Sequence, residues 1–143
     1  MNLEDLQKLK DTNSCPIGDF EGADLSGMDL RRANLSGAAL KKANLSHSDL
    51  TEANLSVADL TGAKLENAKI RQANLEGTLL VNADLRHANL GSANLMFADL
   101  SKADLYKANL TNASISEAKF CSTTLPDGKI SNRDCLIFFS LMN

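Results

Sequence analysis

The sequence predicts an all-β solenoid: a chain that turns every few residues and winds around a closed apolar interior. Two observations carry this expectation. From Gly18 to Ser122 a five-residue unit recurs 21 times without insertion, each with a large apolar residue at its centre. A period of five also suits no straight element. On an α-helix five residues advance about 500°, so successive centres rotate by about 140° and no face stays apolar. On a straight strand an odd period throws alternate centres to opposite faces.

The elements follow in chain order. Residues 1–17 read as a helical cap and a lead-in loop. In "NLEDLQKLKD" (2–11), Leu3, Leu6 and Leu9 recur every three residues, Asn2 suits an N-cap, and Lys8 and Lys10 suit the last turn. Alone this helix is too short to be stable. Its Leu stripe is expected to dock on the first coil, because a solenoid needs its open ends covered.

Residues 18–122 form the repeat body. Seventeen of the 21 centres are Leu, the others being Phe20, Ile70, Ile115 and Phe120. Two residues earlier stands Ala in 17 units, with Gly18, Met28, Ser48 and Thr78 as exceptions. Asp or Asn lies between them in 15 units. Ala and Leu, two apart, share one side of a short extended segment. If the chain bends toward that side each time, both point inward and the Asp or Asn points outward. Asp, Asn, Ser and Gly suit the corners.

Units such as "ADLSK", "ANLSG", "ANLTN" and "ADLTG" resemble the pentapeptide-repeat family. The resemblance covers residues 18–122 and includes cyanobacterial members with an N-terminal helical cap. It implies a right-handed quadrilateral β-helix of four units per coil, hence about five coils. A 20-residue coil stacks Asn34, Asn54, Asn74 and Asn94 in one outer column, where amide side chains can form a ladder.

Residues 123–143 read as a turn, "LPDG" (125–128), and a capping tail, "CLIFFSLMN" (135–143), expected to cover the last coil. The stretch "FCSTTLPDGKISNRDC" (120–135) resembles the ending of several cyanobacterial pentapeptide-repeat proteins. That resemblance implies a disulfide between Cys121 and Cys135, and with it an oxidising compartment such as periplasm or thylakoid lumen, reached through a removed signal peptide. Three reduced thiols, Cys15 included, in a cytoplasmic protein is the alternative. These 143 residues contain no signal-peptide pattern and no apolar run of membrane-spanning length.

No enzymatic chemistry is expected. His47 and His87 share a column but lie two coils apart, about 9.6 Å, too far for one metal ion. No phosphate loop, nucleophile elbow or Ser–His–Asp pattern occurs. No cofactor is expected. Net charge is −3, which gives no field for nucleic acid or an anionic membrane. Family members that protect gyrase resemble DNA in their negative charge, but residues 18–122 carry 13 acids against 11 bases. That role is disfavoured.

The informative deviations are apolar residues at polar positions: Val57, Leu79, Val81, Met96 and Phe97. Twenty-residue coils gather them around one corner, as a candidate contact patch for a protein partner of unknown identity. A monomer or weak dimer is expected. Two functional classes remain: a non-catalytic interaction or scaffold module, and a stable lumenal or periplasmic structural or stress-related protein without a specific partner.

Overall fold

Each unit bends because its last residue is left-handed. In the computed structural model, which describes residues 1–135, all 21 residues at this position, from Gly22 to Ser122, have φ between 51° and 68°. The residue before each has no positive φ. This is the signature of a type II turn, closed by a bond from the small residue to the preceding centre, as in Ala63 N–Leu60 O at 3.0 Å.

The unit 43–47 accounts for all five of its amides. Ala43 donates to Leu40 within the turn at 3.1 Å, and Asn44 to Ala23 of the previous coil at 2.8 Å. Leu45 and His47 donate to Lys64 and Glu66 of the next coil, at 2.7 and 3.0 Å. The fifth amide, on Ser46, is met by the Asn44 side chain at 3.0 Å. The same side-chain bond recurs in all 15 units with Asp or Asn at that position. Asp and Asn are selected there because a short side-chain acceptor reaches the amide two residues on.

Parallel bridges join residue n to n+20 from Ser14↔Asn34 to Asp104↔Thr124. Each coil is therefore four-sided. At about 4.8 Å per coil the ladder is roughly 25 Å tall. It extends past the 21-unit register at both ends. Cys15, 2% exposed, fills an additional centre, and Thr123 takes a small-residue position.

Centres from Phe20 to Leu105 are fully buried, with Ala packed between them. The polar exceptions bond inward: Ser48 Oγ to Leu45 O at 2.6 Å, Thr78 Oγ1 to Leu55 O at 2.8 Å. Gly18 replaces Ala for a steric reason, since a Cβ there would lie 2.6 Å from the Phe20 ring and 2.7 Å from Cys15 Sγ. Toward the far end burial falls off. Leu110 is only partly buried and Ile115 is 39% exposed.

The N-terminal helix, α1 (Leu3–Thr12), closes the first coil. Asn2 caps it through Glu4 N and Asp5 N, and left-handed Asn13 ends it. Leu9 is buried and Leu6 partly so, but Leu3 is exposed, so the docking stripe holds two leucines where the spacing suggested three. The helix also occupies the first strand edge: Asn2 N donates to Asp19 O at 2.9 Å, and Asp5 Oδ2 accepts from Asp19 N at 2.9 Å.

At the other end β1 (Thr123–Thr124) and β2 (Ile130–Ser131) pair antiparallel around the "LPDG" turn. Cys121 and Cys135 form a disulfide. Beside it the Arg133 guanidinium stacks 4.7 Å from the Phe120 ring centre and donates to Ala118 O, while Asp134 accepts from Phe120 N. The apolar part of the expected capping tail, 136–143, lies outside the described residues.

Candidate interaction surface

Outward positions are set by the same backbone that fills the core. Each corner contributes two residues and each face one, so a surface strip is a set of residues 20 apart. One corner differs from the other three. Its left-handed column reads Ile17, Gly37, Val57, Gly77, Phe97, Glu117. Ile17, Val57 and Phe97 are 83%, 68% and 58% exposed.

These three residues are in an unfavourable backbone state. Ile17 and Val57 are β-branched at φ 60° and 51°, and Phe97 stands at φ 61°. The left-handed region costs an L-residue about 1–2 kcal/mol, most severely for β-branched and bulky side chains. On the other corners the equivalent position is held by Gly, Asn, Lys, Arg, His, Gln, Glu and Ser, none of them an aliphatic or Phe side chain. The intervening glycines leave room for the side chains one coil below them. A Cβ on Gly77 would lie 3.2 Å from Val57 Cγ1, and one on Gly37 3.5 Å from Ile17 Cγ1.

The adjoining face column reads Asp19, Ala39, Asp59, Leu79, Asp99, Lys119. Leu79 is 43% exposed and stands between the levels of Val57 and Phe97. Met96, half-buried, precedes Phe97 in the same turn. Val81 is half-buried and opens the next corner, outside this strip. The structure thus sets Val57, Leu79, Met96 and Phe97 together, and Val81 one corner away. Ile17 was not legible as a member because it precedes the first repeat at Gly18. Its signal was numerical: it lies two 20-residue coils before Val57 and four before Phe97.

On the other flank Asn34, Asn54, Asn74 and Asn94 form a continuous bridged column. Amide-to-amide bonding along it occurs between Asn94 and Asn74, at 3.5 Å. The bond that all four make is the one within their own unit. Their consistent role is to close turns.

Other polar clusters are internally satisfied. Around a shallow hollow, Arg31 pairs with Asp29 at 2.8 Å and Arg32 with Glu52 at 3.2 Å. Bonding to Arg31 holds the Asp29 carboxyl down at about 2. Burial pushes the Cys15 thiol up, aided by the Asp5 charge. His87 packs edge-on to Tyr106 and neither histidine joins a metal-ligand cluster among the described residues. No helix among them is long and apolar enough to cross a membrane.

Fold and surface together define a repeat protein whose regular backbone presents columns of side chains. The family model for pentapeptide repeats matches in 8 copies, over residues 19–56, 39–77, 58–96 and 88–125, and the chain belongs to that family. Solved structures agree. A pentapeptide repeat protein from Nostoc PCC 7120 is 31% identical over 82% of this chain and 93% of its own, with a TM-score of 0.55. The pentapeptide repeat protein Rfr23 of the cyanobacterium Cyanothece 51142 is 28% identical over 87% of this chain and 96% of its own, with a TM-score of 0.50. One from the thylakoid lumen of Arabidopsis thaliana is 30% identical over 79% of this chain and 72% of its own, with a TM-score of 0.48. No curated protein matches.

Proposed function

We propose that this chain is a non-catalytic protein-interaction module, a right-handed four-sided β-helix that binds a protein partner along the Ile17–Val57–Phe97 corner. One observation carries the reading. Strained, exposed apolar residues recur in register on that corner, where folding alone favours Asn or Gly. Strain retained at a surface points to a role outside folding, and clustered exposed apolar side chains mark contact sites. A DNA-like surface is not part of this reading, because the repeat body carries 13 acids and 11 bases.

The Cys121–Cys135 disulfide favours an oxidising compartment, such as a periplasm or thylakoid lumen, as the place of action. It also keeps a second reading in view, a stable structural protein of that compartment without a specific partner.

A photo-reactive phenylalanine analogue at position 97 separates the two readings. The interaction reading expects a discrete cross-linked partner in extracts of the source cells, absent when the analogue replaces Lys107 on another corner. Phe97→Lys should abolish capture at the neighbouring position 57 while leaving the melting temperature nearly unchanged, since Phe97 is 58% exposed. Capture that is absent, or equal at both corners, would remove the reading. Unfolding by Phe97→Lys would show that Phe97 is a core residue.

A further inference from the structure

The apolar residues of the corner and its adjoining face alternate by coil. The corner supplies Ile17, Val57 and Phe97 on the first, third and fifth levels; the face supplies Ala39 and Leu79 on the second and fourth. The complementary squares of this checkerboard are Asp19, Gly37, Asp59, Gly77 and Asp99. The result is a zigzag apolar seam, Ile17–Ala39–Val57–Leu79–Phe97, running up the tower with an acid opposite each corner knob.

The period of the seam matches one kind of element. Knobs on the same column lie two coils apart, about 9.6 Å. Successive residues at one heptad position of an α-helix lie about 10.5 Å apart, and the two apolar heptad positions alternate sides about every 5 Å. From Ile17 to Phe97 the seam climbs four coils, about 19 Å. Fourteen residues of helix rise about 21 Å, so the two repeats drift by only about 2 Å over the whole contact. An extended strand laid along the same axis repeats its side chains about every 6.8 Å and falls out of step within one knob spacing.

Charge points the same way. The corner's two turn columns and the faces on either side of it carry Asp19, Asp59, Glu76, Asp99 and Glu117 against one base, Lys119. That strip is net −4 in a chain of net −3, so the remainder is net +1. The amino group of Met1 pairs with Asp19 at 3.5 Å and Lys41 pairs with Asp59 at 3.7 Å from the next corner; Asp99 has no ion-pair partner among the described residues.

Resting on the interaction reading above, we infer that the seam takes a basic amphipathic α-helix of a protein partner. The helix lies along the tower axis, with heptad apolar residues on the zigzag and Lys or Arg beside the acids. The helix lays its own alternating apolar stripe against that seam, and its cations meet Asp59 and Asp99.

The test uses a designed helical peptide of about three heptads, Leu at positions a and d and Lys at e and g, and a twin with Glu at e and g. Fluorescence anisotropy of the labelled peptides against the full chain should show the Lys peptide binding at least about tenfold more tightly, with affinity falling as salt rises. Leu79→Lys and, separately, Val57→Lys should each weaken it by at least about tenfold. Asn67→Lys, on another corner, should not. Circular dichroism melts confirm that each variant is folded. Equal binding of the two peptides, or binding indifferent to both seam variants, overturns the inference. A partner captured at position 97 that carries no basic heptad helix also overturns it, while leaving the interaction reading intact. Loss of corner-specific capture altogether removes that reading instead.

Discussion

Val57→Asn tests whether the corner is held in place at a cost to folding. Val57 stands at φ 51° and is 68% exposed. The left-handed state costs an L-residue about 1–2 kcal/mol, and Asn bears it more easily because its short polar side chain bonds locally. Asn67, Asn82 and Asn112 already occupy the equivalent turn position with φ of 58°, 58° and 60°. Against this stands lost burial. Full burial of a Val is worth roughly 1.5–2 kcal/mol, and Val57 hides about a third of its surface, so roughly 0.5 kcal/mol is lost. The balance is a stabilisation of about 0.5–1 kcal/mol, or a rise of about 2–4 °C in melting temperature for a domain of this size. Thermal and urea denaturation of the isolated protein measure it, and the urea slope should not change. The same substitution should weaken capture of a partner at position 97. A drop of more than about 2 °C would refute the argument. It would mean that Val57 contributes packing that outweighs its backbone strain.

Leu65 is 1% exposed at mid-tower, so Leu65→Asp buries an unpaired carboxylate and should prevent folding or lower the melting temperature drastically; a near-native melt would break the register. Reducing the Cys121–Cys135 bond opens a loop of sequence separation 14, which the loop-entropy account values at about 3 kcal/mol. Amide exchange at Phe120 and Ile130–Ser131 should accelerate before the middle coils respond, and unchanged exchange there would show that the return strand holds without the bond. Asp29 falls from an ordinary 3.8 to about 2 beside Arg31. A carboxyl depressed in the folded state contributes stability that is full above its unfolded value and is lost as pH falls through the folded one. Asp24, Asp49, Asp84 and Asp134 shift in the same direction, each chiefly through a side-chain hydrogen bond. Melting temperature should therefore stay flat from neutrality to about pH 5 and fall below about pH 4; a fall that begins near pH 6 would point to a different group.

The repeat body was legible because each unit states its own geometry. Large centre, small partner and Asx residue suffice to place the side chains of residues 18–108 inside or outside; beyond them Leu110 is only partly buried and Ile115 is exposed despite fitting the pattern. Four units per coil was not available from the period of five, which fits other closures. It came from the family resemblance and is now fixed by bridges between n and n+20. What the sequence concealed are its exceptions. Gly18 looked like a lapse in the pattern, yet it answers to the Phe20 ring and the Cys15 sulfur beside it. Leu3 fits the spacing of its helix yet faces solvent, since the first coil offers contact to Leu6 and Leu9 only. The candidate surface was half visible. Val57, Leu79, Met96 and Phe97 stood out as apolar residues in polar positions. Ile17 did not, because no repeat had yet begun where it stands. The strain at these residues has no signature in composition; it appears only once the turn fixes φ.

A solenoid of this kind separates stability from surface identity more sharply than a globular core does. In interior units such as 43–47, four amides are satisfied by backbone and the fifth by the Asp or Asn side chain, so the two corner residues are free of any folding duty beyond tolerating a positive φ. The position of a corner residue on the surface is then its number modulo 20. This is why Ile17, Val57 and Phe97, 40 residues apart in sequence, form one strip. It also makes the seam sensitive to a change that barely alters the core. Adding one pentapeptide between Gly62 and Ala63 would preserve every inward Ala and Leu but rotate Phe97 by a quarter turn onto the next corner. Adding four would keep Phe97 on its corner yet shift it by one level, putting the upper half of the checkerboard out of phase with the lower half. Only an even number of whole coils preserves the alternation. The order of apolar and acidic residues along the corner is thus specified separately from the fold, and a partner that recognises it recognises the count of repeats as well as their chemistry.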